Sequence, residues 1–143
     1  MSVALKTLSM LDLPKGSGET MIDLSALVAK GLPSKTLERM SALMAPDDRA
    51  FRYRIVNKAT LARREKSNDK RLSAEESDRV ARLTRLWAVA EDVWHSETAT
   101  RRFLTEPHPL LRGKSPLDLA IESEVGARAV EELLGRLAYG SAA

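Results

Sequence analysis

Apolar side chains recur along most of this chain at steps of three and four residues, which is the pattern of an amphipathic α-helix. Four short helices are predicted in the first third of the chain, over residues 3–11, 22–28, 35–44 and 48–55. Ser34 is predicted to cap the third of them, and the first is predicted to be a loose arm. No segment alternates between apolar and polar residues as a half-buried strand would, so the predicted fold class is all-α.

A tight turn separates the fourth helix from a fifth. Asn57 is predicted to cap that fifth helix, which runs from Lys58 to about Lys66. Two short helices joined in this way are typical of a helix-turn-helix, whose second helix enters the major groove of DNA. Ile55 stands where many such turns carry Gly, which predicts a distorted or longer turn. The predicted DNA-binding residues are Arg54, Lys58, Thr60, Arg63, Arg64 and Lys66.

The charge distribution favours the same segment. Residues 49–71 contain nine Lys and Arg against two acidic residues, a net charge of +7. Residues 85–143 contain seven basic and nine acidic residues, a net charge of −2. A local positive field attracts a phosphate backbone, although a basic helix can also be no more than a solvated surface.

A long helix is predicted next. Ser73 and Glu76 form a capping box, and the apolar pattern continues to about Trp94. Its apolar positions form a coiled-coil-like seam, from which Val80, Leu83 and Trp87 are predicted to support dimerisation. The same stripe can instead be the core of the C-terminal part.

Three shorter helices are predicted after it. One begins near Glu97, one follows the cap Ser115, and the last follows the cap Ser123 and ends at Gly140. The last helix has an apolar face that includes Leu133 and Leu137.

No reaction chemistry is visible in the sequence. The chain has no Cys, and its two His, His95 and His108, lack neighbours at metal-ligand spacing. There is no Gly-rich phosphate loop, no signal peptide and no run of about 18 apolar residues. The chain is therefore predicted to be a cytoplasmic protein with no enzymatic activity, metal, cofactor or membrane contact.

Several motifs of the last third occur in a defined order. Phe103-Leu104 is followed by Pro107, then by the turn of residues 111–117, which reads Leu-Arg-Gly-Lys-Ser-Pro-Leu. Gly126 lies at the head of the last helix, and Tyr139-Gly140 ends the pattern. This ordered set resembles the toxin-binding domain of the Xre/MbcA/ParS family of bacterial antitoxins over residues 94–140. Residues 56–64 are similar to the recognition helix of that family, and the weaker N-terminal match covers residues 21–90.

The resemblance implies four regions and a function. Residues 1–20 would be the arm, 21–72 the helix-turn-helix region, 73–95 the connecting or dimerisation helix, and 96–143 the toxin-binding domain. The chain would neutralise a RES-type toxin that consumes NAD and repress its own operon by binding operator DNA. It would act as a homodimer and form a larger hetero-oligomer with the toxin. The expected toxin-binding residues are Leu133, Arg136, Leu137, Tyr139, Gly140, Ser141, Ala142 and Ala143.

Two points of mechanism stay open at the sequence level. The C-terminal helix and the small-residue tail are expected to cover the toxin active site, with the terminal carboxylate meeting an Arg that would otherwise hold phosphate. A frayed terminus without a role is the alternative. The alternative function is a stand-alone transcriptional regulator whose C-terminal half only dimerises.

Overall fold

The computed structural model describes residues 2–13 and 20–140 and has an all-α architecture in that part of the chain. Its α-helices are α1 (Val3–Met10), α2 (Met21–Lys30), α3 (Lys35–Met44), α4 (Lys58–Lys66), α5 (Ala74–Trp94), α6 (Glu97–Thr105), α7 (Pro116–Glu122) and α8 (Glu124–Ala138). Within the described residues, two 3₁₀ helices, Arg49–Arg54 and Pro109–Leu111, lie between them. The described residues contain no strand, only an isolated antiparallel bridge between Pro33 and Arg71. The predicted fold class is confirmed.

Local capping signals account for most helix starts. The predicted capping box is present: Ser73 Oγ accepts a hydrogen bond from the Glu76 amide (3.1 Å), and Glu76 Oε1 accepts one from the Ser73 amide (2.8 Å). The predicted caps Asn57, Ser115 and Ser123 also accept bonds from the first turns of their helices. These side chains satisfy amide groups that have no partner inside a helix.

Two local predictions differ from the structure. Ser34 precedes α3 but has helical backbone angles, and its side chain makes no capping bond. The fourth predicted helix is a 3₁₀ helix, Arg49–Arg54, which is capped by Asp48 through the Ala50 amide. A short 3₁₀ segment is a common connector where the chain cannot sustain a full α-helix.

The chain divides into two compact units, Met1–Thr84 and Arg85–Ala143. The first unit includes the segment predicted to be a loose arm. In that segment α1 carries Leu8 and is followed by Leu11, and both side chains are fully buried. Residues 3–13 therefore belong to the core of the first unit, because complete burial of two Leu side chains holds a short helix in place.

Helix α5 contributes to both units. Its residues up to Thr84 belong to the first, and those from Arg85 belong to the second. Val80 and Leu83 are completely buried in the first unit, and Trp87 is 1% exposed in the second. The predicted dimerisation face does not fit this placement, because side chains inside the core of their own chain cannot also meet a second copy. The alternative prediction, that the stripe is the core of the C-terminal part, agrees with the burial but only in part with the location, because Val80 and Leu83 belong to the first unit and only Trp87 to the second.

No helix among the described residues combines the length and the apolar character that crossing a bilayer requires.

Candidate functional site

The first candidate site is built on α4 and the turn before it. Ile55, Val56 and Leu61 are buried, and they fix the turn and the helix on the first unit. Ile55 has right-handed backbone angles (φ −97°, ψ −47°), and its carbonyl accepts a bond from Arg79 Nη1 at 2.9 Å. Ile55 therefore needs no left-handed conformation, and it fits this turn without the glycine that many such turns carry.

Most of the predicted DNA-binding side chains are exposed. Lys58, Arg63 and Lys66 are exposed on α4, and Arg54 is exposed just before the turn. Thr60 is half-buried. Lys58 also lies against an exposed aromatic ring, with Nζ 5.6 Å from the centre of Tyr53. The result is a basic face that surrounds the N-terminal end and one side of α4.

Arg64 lies elsewhere. Its Nε donates to Glu76 Oε1 at 3.1 Å, and its Nη2 is 3.5 Å from Oε2. Successive residues on an α-helix point about 100° apart, so Arg63 faces solvent while Arg64 faces the start of α5. The pair ties the last turn of α4 to the first turn of α5.

Glu76 is the centre of that connection. It is 8% exposed, and it serves both the capping box and the ion pair. Burial on its own would raise the pKa of this carboxyl. The bonds from the Ser73 amide and from Arg64, together with the Arg64 charge, outweigh burial and lower the pKa below its ordinary value. The sequence signal Ser-x-x-Glu predicted the cap, but nothing in it predicted a partner twelve residues away.

The second candidate site is built on α8. This helix packs on α7. A Cβ at Gly126 would lie 2.0 Å from the Leu119 carbonyl oxygen, so the two helices approach more closely than any other residue would permit there. Ala127, Val130, Leu133 and Leu134 form the buried face of α8 and have no exposed surface. Leu133, predicted to contact a partner, is therefore a core residue.

A second contact fixes α8 to the last part of α5. Arg85 Nη2 donates to Glu124 Oε1 at 2.8 Å, and its Nε donates to Glu131 Oε1 at 3.2 Å. Burial alone would lower the pKa of Arg85, but the two carboxylates outweigh it and raise that pKa. The guanidinium remains charged and holds the outer side of α8 at two points.

The remaining predicted contact residues lie at the far end of α8. Arg136 and Gly140 are exposed, Leu137 is half-buried, and Tyr139 is 90% exposed. A shallow groove is lined by Glu132, Gly135, Arg136 and Tyr139. The predicted residues Ser141, Ala142 and Ala143 lie outside the described residues. A large exposed aromatic beside an Arg is a combination that protein interfaces favour.

Val125 is a candidate contact residue that the sequence pattern did not predict. It lies on the first turn of α8 and is 78% exposed. Sequence spacing does not show which side of a helix is covered by its neighbours. An exposed Val therefore cannot be told apart from the buried apolar positions of α8 by spacing alone. The sequence does carry one signal for this role. Val125 lies fourteen residues before Tyr139, which is close to four helical turns, so the two positions share one side of the helix.

His108 has a capping contact and a packing contact. Its Nδ1 accepts a bond from the Leu110 amide at 3.1 Å, and its ring packs edge-on against Phe103. Trp94, the neighbour of His95, also packs against Phe103, with the two ring centres 5.5 Å apart. No cluster of three or more potential metal ligands exists among residues 2–13 and 20–140.

Comparison with known proteins assigns a family domain to each half of the chain. Residues 23–85 match the antitoxin Xre-like helix-turn-helix domain, and residues 89–140 match the antitoxin Xre/MbcA/ParS C-terminal toxin-binding domain. The first range contains α4, and the second contains all of α8.

Two curated proteins are also similar. The chain is 26% identical over 129 residues to the Prs ADP-ribosylating antitoxin of Sphingobium sp. (strain YBL2), a match that covers 84% of this chain and 80% of that protein. It is 35% identical over 78 residues to the antitoxin Xre of Yersinia enterocolitica serotype O:8 / biotype 1B (strain NCTC 13174 / 8081), covering 54% of this chain and 52% of that relative. The second match therefore spans about half of each protein.

The resemblance seen in the sequence is confirmed by these two domain matches, which follow one another along almost the whole described chain. The chain belongs to the Xre/MbcA/ParS family of antitoxins.

Proposed function

We propose that this chain is a type II antitoxin that neutralises an NAD-consuming toxin by covering its active site with the end of α8. The observation that carries the proposal is the exposed end of α8 inside a matched toxin-binding domain, where Arg136 and Tyr139 flank an open groove. Tyr and Arg are residues that tend to contribute most of the binding energy at interfaces. Residues 141–143 would extend the same contact.

The second part of the proposal is that the chain represses its own operon by binding operator DNA through α4. Arg54, Lys58, Arg63 and Lys66 would contact phosphates or base edges, with Thr60 at the edge of the contact. The charge separation supports this division of roles, since the basic segment lies in the helix-turn-helix match and the unit that carries α8 is mildly acidic. Binding to operator DNA would place the protein in the cytoplasm.

Two classes of NAD-consuming toxin are candidates for the partner. We propose a RES-type toxin, which destroys NAD, as the first candidate. The Sphingobium relative is named for ADP-ribosylation of Prs, and an ADP-ribosyl-transferring toxin is therefore the second candidate. Both chemistries consume NAD, so both would be visible as a fall in cellular NAD.

Dimerisation remains part of the proposal because helix-turn-helix proteins commonly bind two half-sites. The surface must differ from the buried residues Val80, Leu83 and Trp87. Light scattering on the free chain and on its complex with the toxin would give the stoichiometry, and we expect a homodimer that forms a larger hetero-oligomer.

Co-expression tests the central proposal. We expect the product of the reading frame next to this gene to arrest growth and lower cellular NAD, and co-expression of this chain to restore both. A neighbouring product that is harmless, or toxicity that this chain does not relieve, would contradict the antitoxin proposal. A chain that shifts operator DNA but captures no neighbouring protein would favour the alternative, a stand-alone regulator.

Truncation after Gly140 tests the contribution of the last three residues. We expect thermal stability to stay the same and neutralisation to weaken, because small side chains suit a narrow cleft. Equal neutralisation by the full and the shortened chain would remove residues 141–143 from the mechanism.

A further inference from the structure

Gly135 lies in the last turn of α8, where nothing among the described residues of its own chain requires a glycine. Gly disfavours a helix relative to Ala, so a helical turn that carries one loses some stability, although less near a helix end than in the interior. A fold requires Gly where the backbone is left-handed or where another group approaches closely. Gly31, Gly113 and Gly140 have positive φ, and Gly126 meets the Leu119 carbonyl. Among the described glycines, Gly135 has neither property: its φ is not positive, and a Cβ there would have no neighbour within 4 Å.

The open space at Gly135 belongs to a continuous face of α8. Val125, Arg128, Glu132, Gly135 and Tyr139 follow one another at steps of three and four residues, and such positions lie along one side of a helix. The end residues are large, apolar or aromatic, and exposed. The face is about 21 Å long at 1.5 Å per residue. A face with this spacing suits a partner element that lies lengthwise on α8.

The composition of the face describes the partner. Val125 and Tyr139 offer apolar contacts at the two ends, while Arg128 and Glu132 offer opposite charges between them. Arg128 also lies near a carboxylate of its own helix, with Nε 3.9 Å from Glu124 Oε1. Gly135 leaves a notch beside Tyr139, into which a partner backbone or a bulky side chain fits. Because Gly has no Cβ, such a position allows another backbone to approach closely.

We propose that the cognate toxin packs lengthwise on this face and makes its closest approach to the antitoxin at Gly135. The inference rests on the proposed function, since the toxin is the occupant, and that occupant is chosen because the face lies within the match to a toxin-binding domain. It goes further by extending the contact from the end of α8 along the whole exposed side. It also assigns Gly135 to the interface rather than to folding.

Gly135→Ala separates these two roles because it acts on them in opposite directions. A methyl group here meets nothing in the free chain and favours the last turn of the helix, so we expect the melting temperature to stay the same or to rise by up to about 2 °C. The same methyl group occupies the notch, so we expect affinity for the purified product of the neighbouring gene to fall at least tenfold. Gly135→Leu should weaken binding further, although it should also stabilise the helix relative to Gly.

Two controls make the result specific. Ala26→Leu adds bulk to an exposed position of α2 and should leave toxin affinity unchanged. Val125→Ser removes the far end of the face, and we expect a three- to tenfold loss of affinity without a large change in melting temperature.

Affinity would be measured by calorimetric titration and the melting temperature by thermal unfolding. The inference would be overturned if the Gly135→Ala variant folded normally and bound the toxin as tightly as the wild-type chain. A change in self-association with unaltered toxin affinity would also overturn it, since the face would then serve a second copy. Failure of the wild-type chain to bind the neighbouring product would instead reject the proposed function, and this inference with it.

Discussion

The two proposed recognition helices are held in place by different forces. Helix α4 has nine residues, of which only Leu61 is buried, and its ends are fixed by the Asn57 cap and by the Arg64–Glu76 pair. Helix α8 has fifteen residues, four of which are fully buried, and it packs closely on α7 at Gly126. Polar contacts therefore contribute a larger share to the position of the basic helix, which buries only Leu61, than to that of α8, where four buried side chains add to the Arg85 ion pairs.

The difference predicts how each function responds to conditions. Ion pairs and charge-assisted hydrogen bonds depend on pH, while burial of Leu and Val does not. Operator binding should also weaken steeply with salt, because it depends on phosphate contacts. Toxin binding through α8 should depend less steeply on salt than operator binding, because Val125 and Tyr139 supply apolar contacts beside the few charged ones. Three sets of substitutions test this contrast, beginning with the largest expected effect.

Leu133→Ala should have the largest effect on stability. Leu133 is completely buried, and loss of a buried Leu side chain typically lowers the free energy of unfolding by about 2 to 5 kcal/mol. Denaturant unfolding measures the change, and Leu137→Ala, at a half-buried position, should cost less. Unchanged stability together with weaker toxin binding would make Leu133 an interface residue and would contradict the packing of α8.

Glu76→Gln should have a smaller, pH-dependent effect. Loss of the charge-assisted bonds should lower the free energy of unfolding by about 1 to 3 kcal/mol at neutral pH and weaken operator binding. Because folding lowers the pKa of Glu76, its stabilising contribution is complete above the pKa in the unfolded chain and disappears as pH falls through the folded pKa. The wild-type and Glu76→Gln curves should therefore converge in acid.

The matched control is Glu75→Gln, an exposed carboxylate on the same turn. It should change stability little at any pH. A difference between wild-type and Glu76→Gln that stays constant across the acid range would show that the Glu76 charge does not fasten α4.

Arg63→Ala and Arg64→Ala should have the smallest effects on stability and should differ in kind. Arg63 is exposed, so its loss should leave the melting temperature unchanged. The slope of log affinity for operator DNA against log salt concentration should become shallower by about 0.9, the value of one phosphate contact. Arg64→Ala should lower the melting temperature and affinity but leave that slope unchanged. If both variants show the same slope in a salt titration, Arg63 and Arg64 do not differ in their contacts with DNA phosphates.

How well the sequence predicts each part of the fold depends on how far apart in the sequence the interacting residues lie. Cap signals act within four residues, so the bounds of α4 and the start of α5 were predicted from Asn57, Ser73 and Glu76. Burial depends on neighbours far away in sequence. Sequence alone therefore predicts a loose arm for the α1 segment and a dimer face for the seam with Val80, Leu83 and Trp87, and the structure buries both.

The residues of the candidate sites fall into the same two groups: those whose exposure follows from residue type, and those whose contacts depend on distant parts of the chain. Exposure of Arg63, Lys66 and Tyr139 agrees with roles predicted from residue type alone. The partner of Arg64 and the burial of Leu133 depend on which side of each helix the rest of its unit covers. The motif pattern singles out Gly126 but gives no physical reason for it; only the structure shows that the Leu119 carbonyl requires a glycine there and that no described neighbour requires one at Gly135.

The most direct test of the central claim is a titration of toxin activity with purified antitoxin. The rate at which the neighbouring gene product consumes NAD would be measured while this chain is added. We predict inhibition that is complete at a fixed stoichiometry and that persists at high salt, with Tyr139→Ala shifting the curve to higher concentration. An undiminished rate of NAD consumption at saturating antitoxin would contradict the account.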